Sequence, residues 1–77
     1  MKTGHIKWFN WEKNFGFITS DSSNTDVFFN GSELDVNLRN KERLNGFLVE
    51  FSISQDGTGR NIAVNVKSLN KSGMPER

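Results

Sequence analysis

Residues 14–20 read NFGFITS, and this short stretch decides how the chain folds. In a β-strand, side chains two positions apart point to the same face. Phe15 and Phe17 therefore share one face, while Gly16 and Ile18 share the other. One of these faces must belong to the protein core. The stretch predicts a strand whose second face also carries two large aromatic rings, and that face needs an explanation.

Short β-branched and aromatic runs, separated by Gly, Asn, Asp and Ser, continue on both sides of this stretch. No apolar pattern keeps a 3.6-residue period over ten or more residues, which is typical of an all-β domain. We predict five strands, at residues 5–10, 15–20, 26–30, 47–54 and 61–69. The predicted connections are a turn at 11–14, a polar loop at 20–26, a long segment at 31–46 with one helical turn near 32–34, and a Gly-rich hairpin turn at 55–60.

Five short strands leave exposed edges unless the sheet closes on itself. We therefore expect an all-β, five-stranded antiparallel barrel. Alternation along the strands indicates which side chains fill its interior. The predicted core is Ile6, Ile18, Val27, Phe29, Leu34, Val49, Phe51, Ile53, Val64 and Val66.

The composition limits the class of protein. The chain has 77 residues and a net charge of +1, which fits one small domain and does not by itself identify a nucleic-acid binder. It contains no cysteine, so disulfides and thiolate metal ligands are excluded. No apolar run approaches membrane-spanning length, and no charged-then-apolar N-terminus predicts a secretion signal. We expect a soluble, cytoplasmic protein without a membrane partner.

Removing the predicted core leaves three rings on the outward face of the second and third strands: Phe15, Phe17 and Phe28. An apolar cluster of this size rarely lies in water without a function, although any single ring could instead cover a barrel end. Every nucleobase has a face to stack, so a row of rings beside cations is typical of single-strand binding. Lys7 and Lys13 are the cations that we expect to neutralise phosphates.

Gly16 lies between two of these rings. Because it has no side chain, we expect it to let a base approach the backbone of the strand.

Four motifs resemble the bacterial cold shock domain in order and spacing: KWFN at 7–10, FGFI at 15–18, DVFF at 26–29 and AVNV at 63–66. The resemblance covers essentially residues 3–69. It implies a five-stranded OB-type barrel that binds single-stranded RNA and DNA. It also implies an RNA-chaperone role in the response to cold stress, melting weak RNA secondary structure. We assign residues 1–70 to this domain and 71–77 to a flexible C-terminal tail.

The resemblance also implies which residues bind. Those at binding positions are Lys7, Trp8, Lys13, Phe15, Phe17 and Phe28, with Phe9 near them in a partly structural role. Trp8 offers the largest stacking surface, the alternative being a core residue at the barrel end. To these we add Trp11, which either extends the platform or covers the barrel rim, and Arg60, which either reaches the ligand backbone or is an ordinary exposed arginine.

The sequence departs from the family in its second motif, which usually reads Val-Phe-Val-His-Phe-Ser and here reads VFFNGS at 27–32. Asn30 stands at the position of a stacking His, and Gly31 at that of a stacking Phe. Losing two stacking contacts removes about 2–4 kcal/mol, so we expect weaker or differently tuned binding. Asn30 can still hydrogen-bond a base edge. Asn14 replaces a frequent glycine, and asparagine tolerates positive φ.

Other functions have little support in the sequence. His5 is the only histidine, so we predict no catalytic site, no metal site and no cofactor. The serious alternative is a protein-binding OB module that has lost part of its nucleic-acid affinity. We expect a monomer, and the long connection at 31–46 makes a strand-exchanged dimer the alternative.

Overall fold

The structure, a computed structural model, describes residues 1–40 and 43–69. The strands are β1 Lys2–Asn10, β2 Phe15–Ser20, β3 Asp26–Asn30, β4 Leu48–Gln55 and β5 Asn61–Ser68. A 3₁₀ turn, Gly31–Glu33, and the one-turn helix α1, Val36–Arg39, lie between β3 and β4. No helix in these ranges is long and apolar enough to cross a membrane. The predicted tail at 71–77 lies outside the described residues.

The predicted strands agree with the structure at β2 and β3 and differ slightly at the others. β1 begins at Lys2 rather than His5, and β4 begins at Leu48 rather than Phe47. The predicted helical turn is present one residue early, at Gly31–Glu33, and the sequence pattern missed α1.

The five strands close into a barrel in the order β1-β2-β3-β5-β4. Antiparallel pairs join β1 to β2 and β4, β2 to β3, and β4 to β5. β3 and β5 pair in parallel where Phe28 lies opposite Ile62, and this contact closes the barrel. The predicted all-β, five-stranded barrel is confirmed, with parallel pairing at its closure.

The buried core draws on every strand and on the long connection. Leu38 of α1 and Leu44 are 0% and 1% exposed, although strand alternation gave no sign of them. Ile53, which we expected inside, is only partly buried and packs against the core. The core predictions that hold are Ile6, Ile18, Val27, Phe29, Leu34, Val49, Phe51 and Val66.

The prediction for Val64 is wrong because β5 does not alternate regularly. Asn65 has a φ of 55°, and the pairing of β5 with β4 shifts register beside it, as at a β-bulge. The irregularity brings Ala63 and Val66 into the core, three positions apart, each 0% exposed. Val64 is left half-buried.

A bulge in β1 turns two consecutive side chains outward. Ile6 lies opposite Ile18 of β2. Two residues later, Trp8 lies opposite Phe17, the neighbour of Ile18, so Lys7 is the extra residue. Without this bulge, alternation from Ile6 would point Trp8 into the barrel.

Gly16 faces the barrel interior, opposite Phe9 of β1. A Cβ at Gly16 would collide with the backbone carbonyl of Trp8 and lie 3.0 Å from the ring of Phe9. The absent side chain therefore makes room for β1 and for this ring. We expected Gly16 to let a base approach the backbone. That expectation is wrong, because Gly16 is buried and serves packing.

We predict that Gly16→Ala lowers the free energy of unfolding by about 1–3 kcal/mol, because the new methyl group must displace backbone rather than a flexible side chain. Urea denaturation followed by tryptophan fluorescence measures the loss. Gly57→Ala is the matched control, since a Cβ there meets nothing within 4 Å. Equal stability of the two variants would contradict the packing role.

Candidate nucleic-acid interface

Four aromatic rings form one cluster on the outward face of β1, β2 and β3, which we call the aromatic platform: Trp8, Phe15, Phe17 and Phe28. The ring centroid of Trp8 lies 5.6 Å from that of Phe15 and 5.3 Å from that of Phe17. Phe28 lies 5.4 Å from Phe15 and 5.8 Å from Phe17. All four side chains are half-buried, so each keeps part of its surface in solvent.

Strand register explains why these rings meet. Phe17 lies between Trp8 on β1 and Phe28 on β3, so the three form a row across three strands. Phe15, two residues along β2, adds a fourth ring on the same face. Edge-on and tilted contacts dominate the cluster, and these hold rings at fixed angles without stacking all of them flat on one another. The platform is therefore held together by contacts among its own rings.

Phe9 and Trp11 belong to the end of the barrel next to the platform. Phe9 stacks on the core residue Phe29 at 5.5 Å, with an interplanar angle of 20°. Trp11 meets Phe9 edge-on at 4.7 Å and remains 43% exposed. Trp11 thus covers the barrel rim and also presents ring surface to solvent, so the two alternatives from the sequence do not exclude each other.

Lys7 lies beside the platform but already has an acidic partner. Its Nζ is 2.8 Å from Oδ2 of Asp26, and the hydroxyl of Thr19 donates to Oδ1 of the same carboxylate at 3.0 Å. Two hydrogen bonds lower the pKa of Asp26 below 3.8. The one from Lys7 has the larger effect, and the one from Thr19 adds to it. A phosphate that binds Lys7 must therefore compete with Asp26.

Lys13 lies in the turn between β1 and β2. Its side chain is exposed, and its backbone N–H donates to Oδ1 of Asn10 at 3.0 Å, which fixes the turn. Of the two predicted lysines, Lys13 has the more accessible charge.

Arg60 lies over the platform. Its Cζ is 4.9 Å from the ring centroid of Phe28, within the range of a cation–π contact. Its Nε is 3.3 Å from Oδ2 of Asp56, so a carboxylate anchors the guanidinium there. The guanidinium of Arg60 is thus held beside the platform by Phe28 and Asp56.

Asp56 in turn is held by the hairpin between β4 and β5. The hydroxyl and backbone N–H of Thr58 donate to its Oδ1 at 2.6 Å and 2.9 Å. These hydrogen bonds, with smaller contributions from Arg60, lower the pKa of Asp56 from 3.8 to about 2. Asp56 stays ionised across the physiological pH range and keeps its hold on Arg60.

Asn30 and Gly31 occupy the end of β3. Asn30 is exposed, pairs with Phe15 across the strands, and makes no side-chain hydrogen bond to cap the 3₁₀ turn that follows it. Gly31 is buried, and the side-chain oxygen of Asn14 occupies the space that a Cβ at Gly31 would need. Asn14 has a φ of 63°, the positive value that the turn requires.

The structure brings together most of the predicted site. The rings of the platform, Lys7 and Arg60 share one face, whereas Phe9 and Trp11 lie at the barrel end. Asp26 and Asp56, which hold the two cations, were not predicted from the sequence. The Asp-Gly-Thr-Gly sequence was a usable sign of a turn in which an aspartate accepts from the backbone two residues later. Nothing in the sequence predicted the pair between Lys7 and Asp26, which depends on the bulge.

No group of three or more His, Cys, Asp or Glu residues within 1–40 and 43–69 is placed to hold a metal ion. The polar groups around the rings include the ion pairs of Lys7 with Asp26 and of Arg60 with Asp56.

A closed five-stranded barrel with an aromatic platform and adjacent cations defines a class of OB-type nucleic-acid-binding domains. The family model described as 'Cold-shock' DNA-binding domain matches residues 2–69, so the chain belongs to the cold-shock domain family. The resemblance drawn from the sequence motifs is confirmed. Membership of this family implies nucleic-acid binding.

Individual members of the family are similar to this chain over most of its length. Cold shock-like protein CspC of Buchnera aphidicola is 47% identical over 66 residues, covering 86% of this chain and 93% of that protein. Cold shock protein 1 of Arabidopsis thaliana is 39% identical over 64 residues, which are 83% of this chain but 21% of that protein. Among solved structures, Drosophila Unr CSD456 has a TM-score of 0.70 and 26% identity, covering 88% of this chain and 26% of that one.

We predict that Asp56 contributes stability that is present above about pH 4 and is lost as the pH falls through about 2. The sign follows from the lowered pKa, because the unfolded chain binds the proton more readily than the folded one. Thermal unfolding between roughly pH 2 and pH 5 should show a flatter pH dependence for Asp56→Asn, and Asp26, whose pKa is also lowered, should still contribute to the slope. Glu12→Gln, at an exposed acid in the first turn, is the control. An unchanged slope in Asp56→Asn would contradict the assignment.

Proposed function

We propose that the chain binds single-stranded RNA and DNA by stacking unpaired bases on the aromatic platform. The observation that carries this proposal is the cluster of four half-buried rings on one outward face, with centroids 5.3–5.8 Å apart. An apolar cluster of this kind needs a partner, and bases supply flat apolar faces. Bases already paired in a duplex cannot offer those faces, so the ligand is single-stranded.

The residues have distinct roles in this proposal. Trp8 offers the largest stacking surface, and Phe15, Phe17 and Phe28 stack further bases. Each stack contributes about 1–3 kcal/mol. Phe9 supports them from the barrel end. The remaining contributors are the cations Lys7, Lys13 and Arg60, which neutralise phosphates, and the polar or rim residues Asn30 and Trp11.

Ion pairs within the protein affect how much each cation can contribute to binding. Lys7 exchanges Asp26 for a phosphate, so its net contribution is small. Lys13 contributes more, because its exposed ammonium group has the more accessible charge. Arg60 stays near Phe28 through Asp56 and meets the nucleotide that stacks there.

We also propose that this binding serves an RNA-chaperone role in the cytoplasm during cold stress, with a monomer as the working unit. Stacking energies of about 1–3 kcal/mol per base are comparable with the roughly 0.6–2.2 kcal/mol that stabilises each base-pair step in DNA. A platform that stacks several bases can therefore hold short, weak helices open. It cannot melt long ones, whose summed stability is larger.

We expect Phe15→Ala and Phe17→Ala each to weaken binding of a heptathymidine strand about 5- to 150-fold, the equivalent of one lost stack. Quenching of the Trp8 and Trp11 fluorescence measures the affinity. Val36→Ala, at a 64% exposed residue on α1, should bind like the parent. Equal affinity in the parent and the two ring variants would overturn the site assignment.

The same titration with matched RNA, DNA and hairpin oligonucleotides tests the kind of ligand. Unpaired RNA and DNA should bind and a stable hairpin should not, since its bases are occupied. We expect the parent dissociation constant to lie above the low nanomolar range, because Asn30 and Gly31 supply no rings. Low nanomolar saturation would show that the two missing rings matter less than their stacking energy suggests.

Salt dependence separates nucleic-acid binding from the alternative of a protein-binding module. The logarithm of affinity should fall against the logarithm of salt concentration by about 0.7 for each phosphate neutralised. Lys13→Gln should reduce that slope by about 0.7, while Lys7→Gln should change it less because Asp26 already pairs with Lys7. A binding partner whose affinity hardly responds to salt would favour an apolar protein contact instead.

A further inference from the structure

A row of polar side chains borders the aromatic platform on the outward face of the same three strands. His5 of β1 lies opposite Thr19 of β2, and Thr19 lies opposite Asp26 of β3. Thr19 follows Phe17 by two residues, so this row is about 7 Å from the row of rings along the strand. We call this row, together with its neighbours Lys7 and Asp21, the charged strip.

Asp21 is held beside His5 by Thr3. The backbone N–H of Asp21 donates to the carbonyl of Thr3 at 3.0 Å, and the hydroxyl of Thr3 donates to Oδ2 of Asp21 at 3.3 Å. Oδ1 of the same carboxylate is 3.5 Å from Nδ1 of His5. About half of each of these two charged side chains is exposed, so the imidazole can exchange protons with solvent.

The charged strip has an excess of negative charge while His5 is neutral. The carboxylates of Asp21 and Asp26 face a single ammonium group, that of Lys7, which lies 2.8 Å from Asp26. Asp21 is therefore the carboxylate that a protonated His5 would balance. Because the strip lies closer to the rings than the Debye length of about 10 Å at 0.1 M salt, its charges act on a strand bound to the platform without touching it.

The other neighbour of β1 is β4, and in the described residues it adds no net positive charge beside His5. Leu48 lies opposite His5 and is apolar. Glu50 lies opposite Thr3 on one side and opposite Lys67 of β5 on the other, so these two charges offset each other. The protonation of His5 therefore decides whether the strip is negative or neutral.

We propose that His5 makes the binding of single strands to the platform pH-dependent, with affinity rising as the pH falls and the imidazole gains a proton. Histidine is the side chain that ordinarily changes charge between pH 5 and 8, and His5 is the only histidine in the chain. Protonation removes the excess negative charge of the strip, so it repels the phosphates of the strand less. This proposal rests on the proposed function and adds its regulation by pH.

The test measures the affinity of heptathymidine at low salt, at about pH 5 and about pH 8, by quenching of tryptophan fluorescence. Thymine carries no charge at the lower pH, so the ligand gains no proton there. The parent should bind about 2- to 5-fold more tightly at the lower pH, the range of one exposed ion pair. At about 1 M salt, where the Debye length is about 3 Å, the difference should disappear.

Two substitutions at position 5 separate charge from side-chain shape. His5→Gln cannot gain a proton, so it should bind equally at the two pH values, with an affinity close to that of the parent at the higher pH. His5→Lys keeps a positive charge throughout and should bind equally at both, close to the parent at the lower pH. Thermal unfolding at both pH values checks that each variant is folded where its affinity is measured.

A matched control moves the histidine to another exposed position. His5→Gln combined with Val36→His places the imidazole on α1, which packs against β5 rather than against the strands of the charged strip. This double variant should bind equally at the two pH values, because the new charge is not beside Asp21.

The inference would be overturned by equal affinity of the parent at the two pH values, or by a pH dependence that persists in His5→Gln. A pH dependence that survives at about 1 M salt would also contradict it, because repulsion across the strip is screened there. Failure of the proposed function looks different, since heptathymidine then binds at neither pH and Phe15→Ala changes nothing.

Discussion

The packing of Phe9 on Gly16 is the contact on which the two faces of the sheet depend. A side chain at position 16 would push β1 away from β2, because it would meet the carbonyl of Trp8 and the ring of Phe9. With glycine there, Phe9 enters the barrel end and stacks on Phe29. The bulge just before it leaves the indole of Trp8 outside. Glycine at position 16 and the extra residue in β1 thus allow the ring of Phe9 to pack against the core while its neighbour Trp8 stays on the outward face.

Alternation along the sequence was enough to predict the barrel and most of its core, because β2 and β3 are regular strands with one buried face. It failed where the backbone leaves that period. At β5 the positive φ of Asn65 shifts the register, so Ala63 replaces Val64 in the core. Leu38 and Leu44 were missed for a related reason, since a single helical turn and an irregular segment are too short to show a period.

The candidate site, like the fold, could be predicted from the sequence only in part. The rings on β2 and β3 could be predicted because they are what remains once the inward set is removed. Their partners could not, since the pair between Lys7 and Asp26 depends on the strand register and the bulge, and Arg60 reaches Phe28 only because β5 pairs in parallel beside β3. Local sequence specifies which face is apolar. The neighbours across that face are set by tertiary structure.

The charges around the platform shape what kind of binding it can support. Lys7 is paired with Asp26 and Arg60 with Asp56, so two of the three cations assigned to the site face carboxylates. A phosphate gains little from either, because each new ion pair replaces an existing one in high-dielectric surroundings. In the proposed complex, most of the affinity must then come from stacking. Asn30 and Gly31 lie at the end of β3, where the resemblance to the family implies two stacking rings, so in that complex stacking is weaker there. The exposed side chain of Asn30 can still hydrogen-bond a base edge.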